Sequence, residues 1–245
     1  MKQKTFLEVM LYSWIVLIVI GVVMLLSLPA DASMKAESNL SIRCGNVEGM
    51  ESMSGISYLN ETENSSLELG VKYSYNSSNY EKEGETLEVY GKHKQDLANK
   101  RYFYTFDVNS FYDHARSLQY RNTLGPGLGV KIISNKNINL TLDAGASYAV
   151  EKYKEADLDD KALLRCREQF SWQVADNVRL KQRVEFFPEI DELDRCRIEG
   201  EVSVTVDVTE GLGLKGSFTD TWNSHVGEGV ERNDVAMSMG LVYEF

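Results

Sequence analysis

The chain has 245 residues with 26 Lys and Arg against 37 Asp and Glu, a formal net charge of −11, and so acidic a balance argues against nucleic acid as a partner. Its three cysteines are too few for a disulfide scaffold, and an odd count leaves at least one thiol unpaired. Mean hydropathy is negative, which ordinarily points to a soluble protein, but a transmembrane barrel escapes that rule because half of every strand is polar.

Lys2 and Lys4 precede an apolar run from Trp14 to Leu28, followed by Pro29 and the small-residue pattern Ala30-Asp31-Ala32. This predicts a secretory signal helix over residues 1–32, cleaved to leave a domain of residues 33–245. A retained helix is the rival reading, since Leu11 to Leu28 nearly reaches the roughly 20 residues that span a bilayer. Lys2 and Lys4 cancel Glu8 and Asp31, so the remaining chain carries the whole net charge.

After the leader, the hydrophobic period is two almost throughout, and helical spacing is never sustained. Leu40 to Cys44 and Met50 to Leu59 alternate weakly. Clearer strands follow at Leu67 to Tyr75, Thr86 to Lys94, Arg101 to Tyr112, Leu118 to Ile133 and Ile138 to Val150. Pro126 lies inside one of them and cannot donate to a ladder, so a bulge or bend is expected there. The next three strands are the most regular. Ala162, Leu164, Cys166, Phe170, Trp172 and Val174 share a face interrupted only by Glu168. Val178, Leu180, Val184 and Phe186 share another, interrupted only by Gln182. Cys196, Ile198, Val202, Val204, Val206 and Val208 alternate with charged and hydroxylated residues. Leu212 to Trp222 and Val235 to Phe245 complete a set of twelve, or ten if the two weak segments are not strands. In the last, Val235, Met237, Met239, Leu241, Tyr243 and Phe245 form one wall. It resembles the C-terminal insertion signal of bacterial outer-membrane barrels, with Leu241, Tyr243 and Phe245 at its core. The barrel-assembly machinery is then the implied partner of that strand.

Connections alternate in length. Gln95 to Lys100, Ser134 to Asn137, Ala175 to Asn177 and Thr209 to Gly211 are short, whereas Asn76 to Glu85, Lys152 to Asp160, Pro188 to Asp194 and Asn223 to Asp234 are longer and acidic. That pattern fits an all-β, closed antiparallel transmembrane barrel in the outer membrane, with both termini periplasmic. One face of the strands carries Leu, Val, Phe, Tyr and Trp. The other is too ionic for a soluble core, so the apolar face must meet lipid. Cys44, Cys166 and Cys196 fall on that apolar side, and Tyr73, Tyr75, Tyr102, Tyr104, Tyr148, Phe186 and Tyr243 are candidates for interfacial girdles.

Four stretches carry a family resemblance: Cys44-Gly45-Asn46-Val47-Glu48, Tyr120-Arg121-Asn122 leading to Gly125-Pro126-Gly127-Leu128-Gly129, Phe170-Ser171-Trp172, and Leu241-Val242-Tyr243-Glu244-Phe245. Through them the chain resembles the domain-of-unknown-function 481 family, labelled salt-induced outer membrane proteins. It departs from the family pattern Gly-Asn-Thr-Asp with Gly45-Asn46-Val47-Glu48. The resemblance implies an outer-membrane barrel with an osmotic or salt link, and it brings no catalytic residues, cofactor or substrate.

The sharpest chemical feature is a set of seven cations on the polar face of three neighbouring strands: Arg165, Arg167, Arg179, Lys181, Arg183, Arg195 and Arg197. Basic rings in pores favour anions, so a narrow passive path for small polar or anionic solutes is one expectation. Structural ion pairs filling a non-conducting envelope barrel are the other, because twelve strands lie between a filled barrel and an aqueous channel. Glu81, Glu83, Glu85, Glu155, Asp157, Asp159, Asp160, Glu189, Asp191, Glu192 and Asp194 could hold divalent cations near lipopolysaccharide, but no ordered calcium-loop spacing is present, and solvated loops are the simpler reading. No Cys/His cluster has zinc spacing, and nothing calls for a cofactor. A lipid hydrolase would need a Ser/His pair. Ser224 adjoins His225, but sequence neighbours point to opposite strand faces, and no Gly-x-Ser-x-Gly elbow occurs.

Overall fold

The computed structural model describes residues 32–44, 49–78, 81–114, 117–154, 157–226 and 231–245. Residues 1–31, which hold nearly all of the expected signal helix, and residues 45–48, which hold most of the first family motif, lie outside them. The strands are β1 (Ala32–Cys44), β2 (Gly49–Glu61), β3 (Ser65–Ser78), β4 (Glu81–Asp96), β5 (Tyr102–Asp113), β6 (Leu118–Ser134), β7 (Ile138–Tyr153), β8 (Leu158–Ala175), β9 (Val178–Pro188), β10 (Cys196–Thr209), β11 (Leu212–Asn223) and β12 (Asn233–Glu244). Each lies antiparallel beside its sequence neighbours, and β1 joins β12 to close a twelve-strand barrel. The two weakly alternating segments are therefore full strands. Closure runs from Lys35 opposite Glu244 to Cys44 opposite Val235. The backbones of Met34 and Phe245 add a reciprocal pair of hydrogen bonds at 2.9 Å, so the last residue is fixed in the seam.

Alternation along the strands sets the two faces of the wall. Leu128, Val204, Phe218 and Met239 are exposed on the outside, and Asp143, Arg165, Arg167 and Glu185 are buried inside. Outward aromatics gather at both ends. Tyr102, Tyr104, Trp172, Tyr243 and Phe245 ring the end that holds the termini, while Tyr73, Tyr148 and Phe186 stand toward the other. Cys44 and Cys166 are exposed free thiols and Cys196 is half-buried. The two polar intruders on the apolar face meet each other: the Gln182 amide donates to the Glu168 carboxylate at 3.3 Å.

Two expectations are corrected. Most of Asn76 to Glu85 and Lys152 to Asp160 is strand rather than loop, because Ser78 pairs with Glu81 and Lys152 with Leu158. Polar composition there marks strand that continues past the apolar belt, where either face can be wet. Long connections remain at 189–195 and 224–232. Nor is there a bulge at Pro126. The β6 to β7 register is the same before it, at Leu124 and Tyr148, as after it, at Gly127 and Gly145. The irregularities of β6 lie near its ends instead, between Leu118 and Tyr120 and between Lys131 and Ile133. At the terminal end, Glu210 and Gly211 turn β10 into β11, and Gly211 has φ +86°, a conformation that favours glycine.

Candidate functional site: the barrel lumen

Four strands build the most heavily filled part of the interior. Thr105, Gly127, Gly145 and Arg165 stand in one register row across β5, β6, β7 and β8. The two glycines leave a slot in which the Arg165 side chain crosses the wall. A Cβ on Gly127 would stand 2.8 Å from both Arg165 Nη2 and Thr105 Oγ1, and one on Gly145 would stand 2.1 Å from the Pro126 carbonyl oxygen. Arg165 thereby reaches Asp107 with Nη1, and its Nη2 donates to Thr105 Oγ1 at 3.0 Å and Asp143 Oδ1 at 3.2 Å. Arg167 completes the group, giving Nε to Asp143 Oδ2 at 2.8 Å and Nη1 to Asp107 Oδ2 at 3.0 Å. Asp143 has 0% side-chain exposure. In the next row Phe103 lies flat against Gly129, with the Lys94 ammonium 4.1 Å from its ring centre. Two cations facing two carboxylates make this quartet a neutral, largely buried strut, with Asp107 its most exposed member at 17%.

The other side of the lumen is built differently. Ser203, Ser217, Ser238 and Ser41 form a row of short side chains across β10, β11, β12 and β1, with the Ser217 and Ser238 hydroxyls 2.6 Å apart. A chain of alternating charge crosses this row, with Glu201 on one side of it and Lys215 and Glu37 on the other. Arg183 bonds Glu185 at 2.9 Å and Glu201 at 3.3 Å, and Lys215 stands 3.8 Å from Glu201 and 3.3 Å from Glu37. Arg183 and Glu201 keep 32% and 28% side-chain exposure, against 4%, 5% and 0% for Arg165, Arg167 and Asp143 and 17% for Asp107. Lys72 and Glu88 pair at 3.4 Å on β3 and β4, and both Lys72 and Lys92 stand over the Tyr90 ring at about 5 Å.

The seven expected cations thus do not form one basic wall. Arg165 and Arg167 belong to the quartet, and Arg183 belongs to the charge chain. Arg179 bonds Gln173 at 3.1 Å and lines a cavity of about 420 Å³ at the terminal end with Lys35 and Asp207. Lys181 is exposed and has no ion pair among the described residues. Arg195 is not on a strand: it sits in the 189–195 loop, where it pairs with Glu192 at 2.6 Å. Arg197 pairs with Glu199 at 2.9 Å and lies over Phe187. Both Arg195 and Arg197 line a second cavity, of about 190 Å³, at the opposite end with Arg121 and Glu151. Asp107 and Asp143, which strand alternation puts on the polar face, pair with these arginines, a pairing that sequence reasoning did not foresee. The available signal was the set of glycines at alternate inward positions, Gly125, Gly127 and Gly129, with Gly145 beside them.

The other candidate residues take structural places. Ser224 accepts a hydrogen bond from the Cys196 backbone at 2.7 Å and donates to the Asp194 carbonyl at 2.8 Å, so its hydroxyl staples two loops. Several acidic side chains are already engaged: Glu85 by Tyr73, Asp160 by Tyr148 and Asp159 by Lys161. Those at 81, 83 and 155 fall outside the described side chains. Among the described residues no three His, Cys, Asp or Glu side chains cluster as a metal site would require.

The chain belongs to the family described as a protein of unknown function, DUF481, which matches residues 37–245. It is 25% identical over 169 residues to the uncharacterized protein YdiY of Escherichia coli strain K12, covering 68% of this chain. The match spans 65% of that relative's length. Among solved structures, the NanC porin superposes with a TM-score of 0.59 at 8% identity, covering 85% of this chain and 98% of the porin. The COG4313 outer membrane channel of Pseudomonas putida F1 gives 0.55 at 10% identity, with 89% and 97% covered. These likenesses establish the fold, a closed twelve-strand barrel of the kind found in outer-membrane porins and channels.

Proposed function

We propose that this barrel is a narrow passive channel of the outer membrane for small polar solutes, with both termini on the periplasmic side. The observation that carries the reading is the half-exposed ionic side chains, Arg183, Glu201 and Lys72 among them, on the inside of a cylinder whose outside is apolar and ringed by aromatics. Charges can keep that exposure only beside water, and interior water along one wall is a path. A preference for anions, expected from seven cations, has less support: Arg165, Arg167, Arg183, Arg195 and Arg197 each face a carboxylate. Solutes of either sign then meet compensated charge. The osmotic link implied by the family resemblance fits a passive path of this kind.

The buried quartet favours a second reading, a barrel filled for strength that conducts nothing. Single-channel recording of refolded protein in planar bilayers decides between them. Stepwise conductance supports the channel. A silent membrane containing folded barrels refutes it. An ion preference reversed by Arg167→Glu or Arg197→Glu would restore the anion-selective form.

A further inference from the structure

The chain Glu185–Arg183–Glu201–Lys215–Glu37 crosses β9, β10, β11 and β1 with successive contacts of 2.9, 3.3, 3.8 and 3.3 Å. We propose that it is the selectivity site of the lumen and that it takes small zwitterions, solutes carrying a carboxylate and an ammonium a few ångströms apart. The inference rests on the channel reading above and names the solute class of that channel.

Three observations converge. First, the sign of charge alternates along the chain, so an ion of one sign attracted by one group is repelled by the next, while a zwitterion can meet both. Second, four of the five groups reach solvent, with Glu185 buried behind them at 8% side-chain exposure. Lys215 and Glu37 keep 19% and 21% side-chain exposure, whereas Arg165 and Asp143 keep 4% and 0% and cannot turn toward a solute. Third, the wall beside the chain is low: Ser203, Ser217, Ser238 and Ser41 are short side chains in one register row, two of them, Ser41 and Ser203, covered by neighbours, and Gly240, the register partner of Lys215, carries no side chain. Lys215 is held between two carboxylates, so a solute ammonium can replace it at one carboxylate while the solute carboxylate takes the freed Lys215. The exchange breaks one ion pair and forms two, a net gain of one half-exposed pair, which keeps binding weak enough for release.

The test is swelling of liposomes containing purified protein, with β-alanine and glycerol as three-carbon solutes and with propionate and propylammonium as single-charge controls. β-Alanine is expected to enter about two- to fivefold faster than glycerol, the factor of one half-exposed ion-pair contact, and faster than either single-charge control. The Glu201→Gln/Lys215→Met variant leaves the net charge of the lumen unchanged and should bring β-alanine down to the glycerol rate while glycerol is unaffected. Glu37→Gln, which frees one side of Lys215 only, gives a second and milder reading if the double variant refolds poorly. Glycerol entry without a β-alanine advantage, or an advantage that the variants keep, overturns the proposal and leaves the channel standing. Exclusion of all four solutes overturns the channel reading and this proposal with it.

Discussion

Replacing Asp143 by Ala tests whether the arginine quartet is a strut or an accident of crowding. Asp143 accepts two charge-assisted bonds, from Arg165 at 3.2 Å and Arg167 at 2.8 Å, with no exposure to water. Each such bond is worth about 1.5–3 kcal/mol when broken by removing one partner. Its loss leaves two buried guanidinium groups sharing Asp107. Breaking a buried ion pair from one side costs about 3–5 kcal/mol, and the two routes to the figure agree. The expected outcome is a loss of about 3–5 kcal/mol in urea unfolding of the barrel in lipid vesicles, followed by the tryptophans. Adding Arg167→Met restores one cation to one carboxylate and should recover most of the loss. A single variant within about 1 kcal/mol of the parent, or a double variant no better than the single, would refute the strut.

The glycine slot makes a companion prediction: Gly127→Val puts carbon 2.8 Å from the Arg165 guanidinium and should destabilise the folded barrel by about 2–4 kcal/mol, within the range of overpacking and a disturbed buried pair, whereas Gly216→Ala, where nothing lies within 4 Å, should be near neutral in the same assay. Deleting Phe245 removes its reciprocal backbone bonds to Met34 and its ring contact with Tyr243 at 5.5 Å, so the yield of folded barrel in envelopes, read by heat-modifiable gel mobility, should fall severalfold. On the outer face, Gln182→Leu adds apolar surface yet should destabilise, because it leaves the Glu168 carboxylate facing hydrocarbon without its donor. The Glu168→Leu/Gln182→Leu pair should regain that loss, and equal stability of the single and double variants would count against a lipid-facing pair.

Much of the fold was legible because one rule governs nearly every strand. Where the outer face is Val202, Val204, Val206 and Val208, alternation alone marks the strand, and β10 runs from Cys196 to Thr209. The rule weakens where outward positions are small and polar. In β2, Ser52 and Ser54 share the outer face with Met50 and Ile56, and the strand is held by its ladder to β3 rather than announced by its own pattern. It also misled at the open ends, where Glu81 and Asp160 are polar because the strand has left the membrane, not because the strand has stopped. The quartet was illegible for a different reason. Asp107 lies three strands from Arg165, and adjacency arguments pair only neighbours. Only the coincidence of inward glycines on β6 and β7 indicates that a long side chain passes over them.

The unequal filling of the two sides follows from the size of the barrel. Eight strands enclose about enough room for side chains and sixteen leave an aqueous channel, so twelve strands must either be packed with bulky residues or hold water. Here both occur, divided by strand. Toward β5 to β8, Phe103, Arg165 and Arg167 are buried in the interior, and the glycines beneath the first two let those chains lie along the wall. Toward β9 to β12 and β1, serines line the wall and Arg183, Glu201, Lys215 and Glu37 keep 32%, 28%, 19% and 21% side-chain exposure. Burying the arginines in water-filled surroundings would forfeit the strength of their pairing, since an exposed ion pair contributes about 0–1 kcal/mol. Drying the serine side would bury a charge chain with contacts as long as 3.8 Å and forfeit its hydration. A barrel with one dry wall and one wet wall avoids both penalties: the dry wall fixes the cross-section, and the wet wall keeps a passage whose width that cross-section sets.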